Sequence, residues 1–136
     1  MEKSDEVKEL IKEMYNNFYN IAYVEKHLHK GDDFLTIGTD ESEWVKGYEK
    51  FMVGLKNQAQ ALPDAKVVKS DPEVFVEGTV AWFNDQVILT VNKGEVKMRV
   101  TGVFHKEGEN WKLFQQHASL GTPNVNTAFG DVKPYG

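Results

Sequence analysis

Asp85, Arg99 and His117 offer a carboxylate, a guanidinium and an imidazole on three consecutive segments of alternating polarity. On neighbouring strands an imidazole can serve as general base and an arginine can hold an oxyanion. The same three residues also suit a mixed polar and apolar sheet surface used in self-association. Register separates the two expectations. A three-residue hairpin loop at Asn92, Lys93 and Gly94 pairs Trp82 with Phe104 and Asn84 with Gly102. One face then carries Trp82, Asn84, Val100, Gly102, Phe104 and Gln116, and the opposite face carries Asp85, Arg99 and His117. The first face is mostly apolar, with Gly102 and Ala118 leaving room among large side chains, which is the composition of a small-molecule cavity. An ordinary core, in which Gly102 merely lets the sheet bend, is the competing expectation. A two-residue loop, or one bulge, would swap the pairing and move Arg99 inward.

Other groups carry weaker signals. Trp44 and Tyr48 lie four apart where a helix is expected to begin, and either close the mouth of the cavity or cap the core. Tyr15, Phe18 and Tyr19 belong mainly to the core, with one tyrosine hydroxyl able to reach a cavity. His27 and His29 with Asp32 and Asp33 have the chemistry of metal ligands, but residues two apart on a helix point in different directions, so no metal site is expected. Asp33 and Asp40 are further carboxylates that could open into a cavity. There is no Gly-rich phosphate loop, nucleophile elbow or zinc signature, and no cofactor is expected.

The elements that must position these residues follow from periodicity. Val7, Leu10, Ile11, Met14, Phe18, Ile21 and Ala22 form one helical stripe, with Ser4 as N-cap and a break near Asn20, after which a second helix runs to Lys30 and stops at Gly31. Phe34 to Gly38 reads as a short strand. Tyr48, Phe51, Met52, Leu55, Ala59 and Leu62 form another helical stripe, ended by Pro63. From residue 65 the period becomes two: an interrupted strand over 66–70 and 74–77, bent at Asp71-Pro72, then strands over 79–91, 95–106 and 111–120. Helices followed by a long antiparallel meander predict an α+β fold, with the helices packed on one face of a curved sheet.

At 136 residues, 40% hydrophobic and 27% charged, the chain is expected to form one domain over 1–136, with its core at about 5–125 and an irregular tail over 121–136. The net charge of −5 disfavours a nucleic-acid binder and a basic membrane-surface protein. Without cysteine there is no disulfide, thiol nucleophile or cysteine metal site. The segment MEKSDEVKEL has no apolar signal region and no run approaches eighteen apolar residues, so a soluble, cytoplasmic protein is expected.

GTDESEW (38–44) followed by Gly47, then Arg99-x-Thr101-x-Val103, Trp111 and QQHASLGTPN (115–124), resemble the SnoaL-like branch of the nuclear transport factor 2-like superfamily over about residues 5–125. The resemblance implies a cone-shaped roll of strongly bent, mostly antiparallel sheet closed by N-terminal helices, the cystatin-like fold, usually containing a cavity. It implies a homodimer through the outer sheet face as well. The apolar residues assigned to that face, Phe83, Val87, Leu89, Val103, Trp111 and Leu113, point the same way. The superfamily holds isomerases, dehydratases, cyclases, hydrolases and non-catalytic binders. Its isomerases pair an acidic base with a tyrosine or a protonated acid, and the register above places no acid on the inner face. The expectation is therefore a binder of a small apolar or aromatic molecule, lined by Trp44, Tyr48, Trp82, Asn84, Val100, Gly102, Phe104 and Gln116. The alternative is a cofactor-independent acid–base enzyme drawing on His117, Asp85 or Arg99.

Overall fold

The computed structural model describes residues 2–136. Helix α1 (Lys3–Asn16) buries Val7 and Ile11 and has Glu2 at its N-cap, two residues before the expected Ser4. It also stops earlier than its apolar stripe, because Asn17 turns its side-chain amide back onto the Glu13 carbonyl at 2.7 Å. Helix α2 (Ile21–His27) begins where the Asn20 side chain accepts the Tyr23 N–H at 3.2 Å. It ends before Lys30, since Leu28 is extended and bridges Leu113. Strand β1 (Leu35–Ile37) is followed by β2 (Trp44–Lys46), a strand where the sequence places the start of a helix. Helix α3 (Tyr48–Ala61) then starts at Gly47, whose φ of 93° favours glycine.

Five strands complete the sheet: β3 (Lys66–Lys69), β4 (Glu73–Glu77), β5 (Val80–Val91), β6 (Gly94–Glu107) and β7 (Asn110–Ser119). The order is β2-β1-β7-β6-β5-β3, with β4 also paired to β5, and every pairing is antiparallel except β1 with β7. The result is an α+β fold in which three helices lie against one side of a curled, unclosed sheet. The core joins Val7 and Ile11 of α1, Val24 of α2 and Met52 and Leu55 of α3 to the inner sheet face. Beyond β7 the chain is exposed apart from Gly130, with one short 3-10 turn at Asn124–Asn126.

One hairpin overturns the expected register. The β5–β6 loop has two residues, Asn92 and Lys93, with φ of 50° and 65°, and Val91 pairs directly with Gly94. Two successive left-handed residues make the tight turn that matches the twist of paired strands. Strand β6 keeps its expected face, but β5 is turned over: Phe83 sits opposite Gly102 and Asp85 opposite Val100. Ala81, Phe83, Asp85 and Val87 are therefore buried, while Trp82, Asn84 and Gln86 face outward. The room expected at Gly102 is taken by the Phe83 ring, which a Cβ there would overlap, and the Gln115 carbonyl would lie only 3.1 Å from it.

Candidate functional site

The register brings an acid to the inner face. Asp85 lies opposite the interruption in the neighbouring edge: β4 pairs as far as Glu73 with Asn84, and β3 resumes with Lys69 opposite Ile88. Pro72, which has no N–H to give a ladder, is buried in this gap. The Asp71 N–H, freed from the ladder, donates to Asp85 Oδ1 at 3.0 Å. From α1 the Tyr15 hydroxyl donates to Asp85 Oδ2 at 3.2 Å. With 7% of its surface exposed, Asp85 is thus held by one amide and one phenol. A carboxylate can accept about four hydrogen bonds, so acceptor capacity remains.

Burial first, and then the charge and hydrogen bond of Asp85, push the Tyr15 pKa far above the ordinary tyrosine value. Tyr15 therefore keeps its proton at neutral pH and presents it to Asp85. On the surface Lys8 pairs with Asp71 at 3.1 Å, tying the strand bend to α1, and this lysine holds the Asp71 carboxyl below its usual range.

Tyr15 also lines a depression of about 390 Å³. Its walls are Phe18 and Tyr19, with Asn16 and Asn20 from the α1–α2 turn and Val67 from the start of β3. The Tyr19 hydroxyl donates to the Leu62 carbonyl at 2.9 Å and fixes this turn against the segment after α3. The volume suits a small molecule, and the lining combines aromatic rings with a few amides. A broader hollow of about 930 Å³ lies between the start of α1 and the β4–β5 turn, bordered by Phe75 and Trp82. It is the more open of the two and does not touch the Tyr15–Asp85 pair, so the smaller depression is the candidate site.

The residues expected to form a site are dispersed. Val100 and Phe104 are buried in the packed core, and Gly102 is covered by Phe83. Gln116 is half-buried opposite Gly102 and Thr36. Trp82 and Asn84 are on the outer face, contrary to expectation: Trp82 stacks on Phe75 with ring centres 5.8 Å apart, and Asn84 donates to Glu73 at 3.1 Å. Trp44 is 60% exposed on β2, whereas Tyr48 opens α3 under the Lys30 ammonium, 5.7 Å from its ring centre. The expectation that these two share one helix start is overturned by the intervening Gly47.

The sheet also divides the three chemical residues. Asp85 faces inward, correcting its outer placement, while Arg99 and His117 remain outside. Arg99 Nε donates to Ser119 Oγ at 3.1 Å, and His117 lies opposite Thr101. Asp40 bonds Ser42 within an exposed turn, and Asp33 bonds His29. The Tyr15–Asp85 pair was not foreseen. The signal for it lay in Asn92-Lys93 read as a two-residue turn, combined with the Asp71-Pro72 bend beside it.

A sequence profile of the SnoaL-like domain matches residues 7–123. No curated relative matches significantly. Among solved structures, a nuclear transport factor 2-like protein of unknown function from Pseudomonas putida superposes with a TM-score of 0.76 at 16% identity, covering 97% of this chain and 96% of its own. A Streptomyces avermitilis protein of the same superfamily, provisionally identified as a dehydratase, gives 0.77 at 15% identity over 88% of this chain and 96% of its own. A Parabacteroides distasonis protein provisionally identified as a ketosteroid isomerase gives 0.70 at 16% identity over 88% and 89%. Identities this low carry the likeness of fold alone.

Proposed function

Because this chain belongs to the SnoaL-like family of the nuclear transport factor 2-like superfamily, we propose that it binds a small apolar or aromatic molecule in the depression bordered by Tyr15. The observation that carries this reading is the coincidence of a ligand-sized aromatic depression with a tyrosine bonded to a buried inner-face carboxylate. The rings of Tyr15, Phe18 and Tyr19 supply the apolar area, and the amides of Asn16 and Asn20 can orient a polar substituent. Native mass spectrometry and thermal shift across a panel of aromatic and apolar metabolites test it. A ligand found this way is expected to lose at least tenfold in affinity with Phe18→Ala. Undiminished binding by that variant places the ligand elsewhere.

A second reading, a cofactor-independent acid–base enzyme, is favoured by Asp85 itself. A substrate proton can pass to the Tyr15 oxygen while the Tyr15 proton passes to Asp85, so the pair returns to its starting state when the proton is handed back. Positioned proton transfer of this kind is worth about 10²–10⁴ in rate. The dehydratase and isomerase identifications of two structural neighbours agree with such chemistry. Asp85→Asn is expected to abolish turnover of any bound substrate while leaving its binding within a few-fold; equal turnover removes Asp85 from the chemistry.

For assembly we propose a homodimer through the outer sheet face. Its apolar basis differs from the sequence expectation, because Phe83, Val87, Trp111 and Leu113 are buried. The exposed, stacked Phe75 and Trp82 take their place, and the core packs the helices on the opposite face. Asp85, facing inward, has no part in such an interface.

A further inference from the structure

A second group of ionisable side chains gathers away from the Tyr15 pair, where the segment after α2 crosses the β6–β7 hairpin. Leu28 bridges Leu113, and the His29 N–H donates to the Leu113 carbonyl at 2.9 Å, which fixes His29 against β7. His105 and Glu107 come from the C-terminal end of β6. The Phe114 ring stacks on His29 with centres 4.6 Å apart and meets His105 edge-on at 4.8 Å, so one aromatic ring steadies both imidazoles. The Glu107 Oε2 atom lies 2.5 Å from His29 Nδ1 and 2.6 Å from His105 Nε2. The three donor atoms are within 4.8 Å of one another. On the far side of its ring His29 Nε2 meets Asp33 Oδ1 at 2.7 Å.

We propose that His29 Nδ1, His105 Nε2 and the Glu107 carboxylate form a binding site for one late first-row divalent ion of the zinc class, with Asp33 orienting His29 from behind. Two imidazoles and one carboxylate suit zinc or its neighbours better than calcium or magnesium, which favour all-oxygen shells. Three protein ligands leave a fourth position for water or a small ligand. An ion about 2.1 Å from each ligand in tetrahedral geometry needs the donors roughly 3.4 Å apart, so the two imidazole nitrogens, up to 4.8 Å from each other, must close by about 1 Å or more while Glu107 swings back from between them by about 1 Å. This residue is half-exposed and has space to do so. The carboxylate on the second nitrogen of a ligating histidine is the usual outer-shell partner that sets ring orientation. Histidine spacing along the chain misses the site because His27 turns away onto Tyr23, 4.4 Å between ring centres, and the second imidazole arrives from β6.

Isothermal titration of the metal-free full chain with Zn²⁺ tests the proposal, with thermal melting in parallel. One ion per chain and a raised melting temperature are expected, since an ion bound only by the folded state stabilises it. Affinity should fall at least 100-fold in His105→Ala and Glu107→Gln, fall about 10–100-fold in Asp33→Asn, and stay unchanged in His117→Ala. Co²⁺ added to the wild-type protein should give the strong visible bands of a four-coordinate ion, a readout that depends on no variant folding. The proposal is overturned by the absence of saturable binding, by binding that survives the double variant His105→Ala/Glu107→Gln, by equal loss in His117→Ala, or by cobalt spectra of the hydrated ion.

Discussion

Asp85 and Glu107 each accept hydrogen bonds from two groups, yet they sit in opposite circumstances. Asp85 is buried and its donors, a phenol and a main-chain amide, do not ionise at neutral pH. Glu107 is half-exposed and its partners are two imidazoles that can exchange a proton for an ion. The first arrangement is fixed by the sheet and cannot lose a partner cheaply. The second is held by water-accessible side chains and can be rebuilt around something else. The contrast separates a carboxylate set into the fold from one available to a ligand, and mutation can probe it from both ends.

The largest effect is expected for Asp85→Ala. It strands the Tyr15 hydroxyl and the Asp71 N–H in the interior, at roughly 1–3 kcal/mol for each unpaired group. Chemical denaturation should show a loss of about 2–4 kcal/mol, or on the order of 10 °C in melting temperature. A loss below about 1 kcal/mol would mean that water already serves both donors. Gly102→Leu comes next. The space beside Gly102 belongs to the Phe83 ring and the Gln115 carbonyl, so the added side chain must displace packed core. Overpacking of this kind costs about 1–3 kcal/mol. If the variant is as stable as wild type, Phe83 has another rotamer to occupy.

Tyr15→Phe should cost about 0.5–1.5 kcal/mol at neutral pH, the worth of one hydrogen bond. It also changes the alkaline limb. The native-state pKa of Tyr15 is raised, by burial and then by Asp85, so above about pH 10 the unfolded chain releases a proton that the folded chain keeps. The unfolded state then binds fewer protons, and stability falls as pH rises through that region. Denaturation midpoints measured between about pH 9 and 11.5 should decline less steeply in Tyr15→Phe than in wild type. Parallel slopes would show that Tyr15 ionises normally in the fold.

Much of the architecture was legible because periodicity is a local property. The 3.6-residue stripes gave α1 and α3, and the change to period two gave the meander and its bend at Asp71-Pro72. Strand β2 escaped because Trp44, four residues before Tyr48, fits the start of the following helical stripe. The face of β5 escaped for a different reason. Alternation fixes which residues share a face within a strand, but the pairing between two strands depends on the φ angles of one turn, and Asn92-Lys93-Gly94 reads equally well with two or three residues in the loop. That single ambiguity moved Asp85 from the surface to the interior and Trp82 the other way. It therefore decided whether the chain had an inner acid. The His29, His105 and Glu107 group was illegible for the ordinary reason that its members are 76 and 78 positions apart and meet only through a bulge at Phe114.

The smallest expected effect completes the comparison at Glu107. In metal-free solution Glu107→Gln removes a charge from a half-exposed cluster, leaving its amide oxygen to accept one imidazole N–H and Asp33 to hold the other side of His29. Solvent-screened pairs of this kind are worth about 0–1 kcal/mol. The same exchange of carboxylate for amide at Asp85 would act on a buried group with two donors aimed at it, where an amide nitrogen must face either the phenol or the main-chain N–H. Asp85→Asn should therefore destabilise the metal-free protein more than Glu107→Gln, by about 1 kcal/mol or more. With Zn²⁺ present the order of sensitivity is expected to change in one respect only: Glu107→Gln loses the metal-induced rise in melting temperature, and Asp85→Asn keeps it. Paired melting curves of the two variants, with and without Zn²⁺, measure both halves of this statement. If Asp85→Asn also loses the metal-induced rise, the two carboxylates are coupled through the sheet and cannot be treated as independent sites.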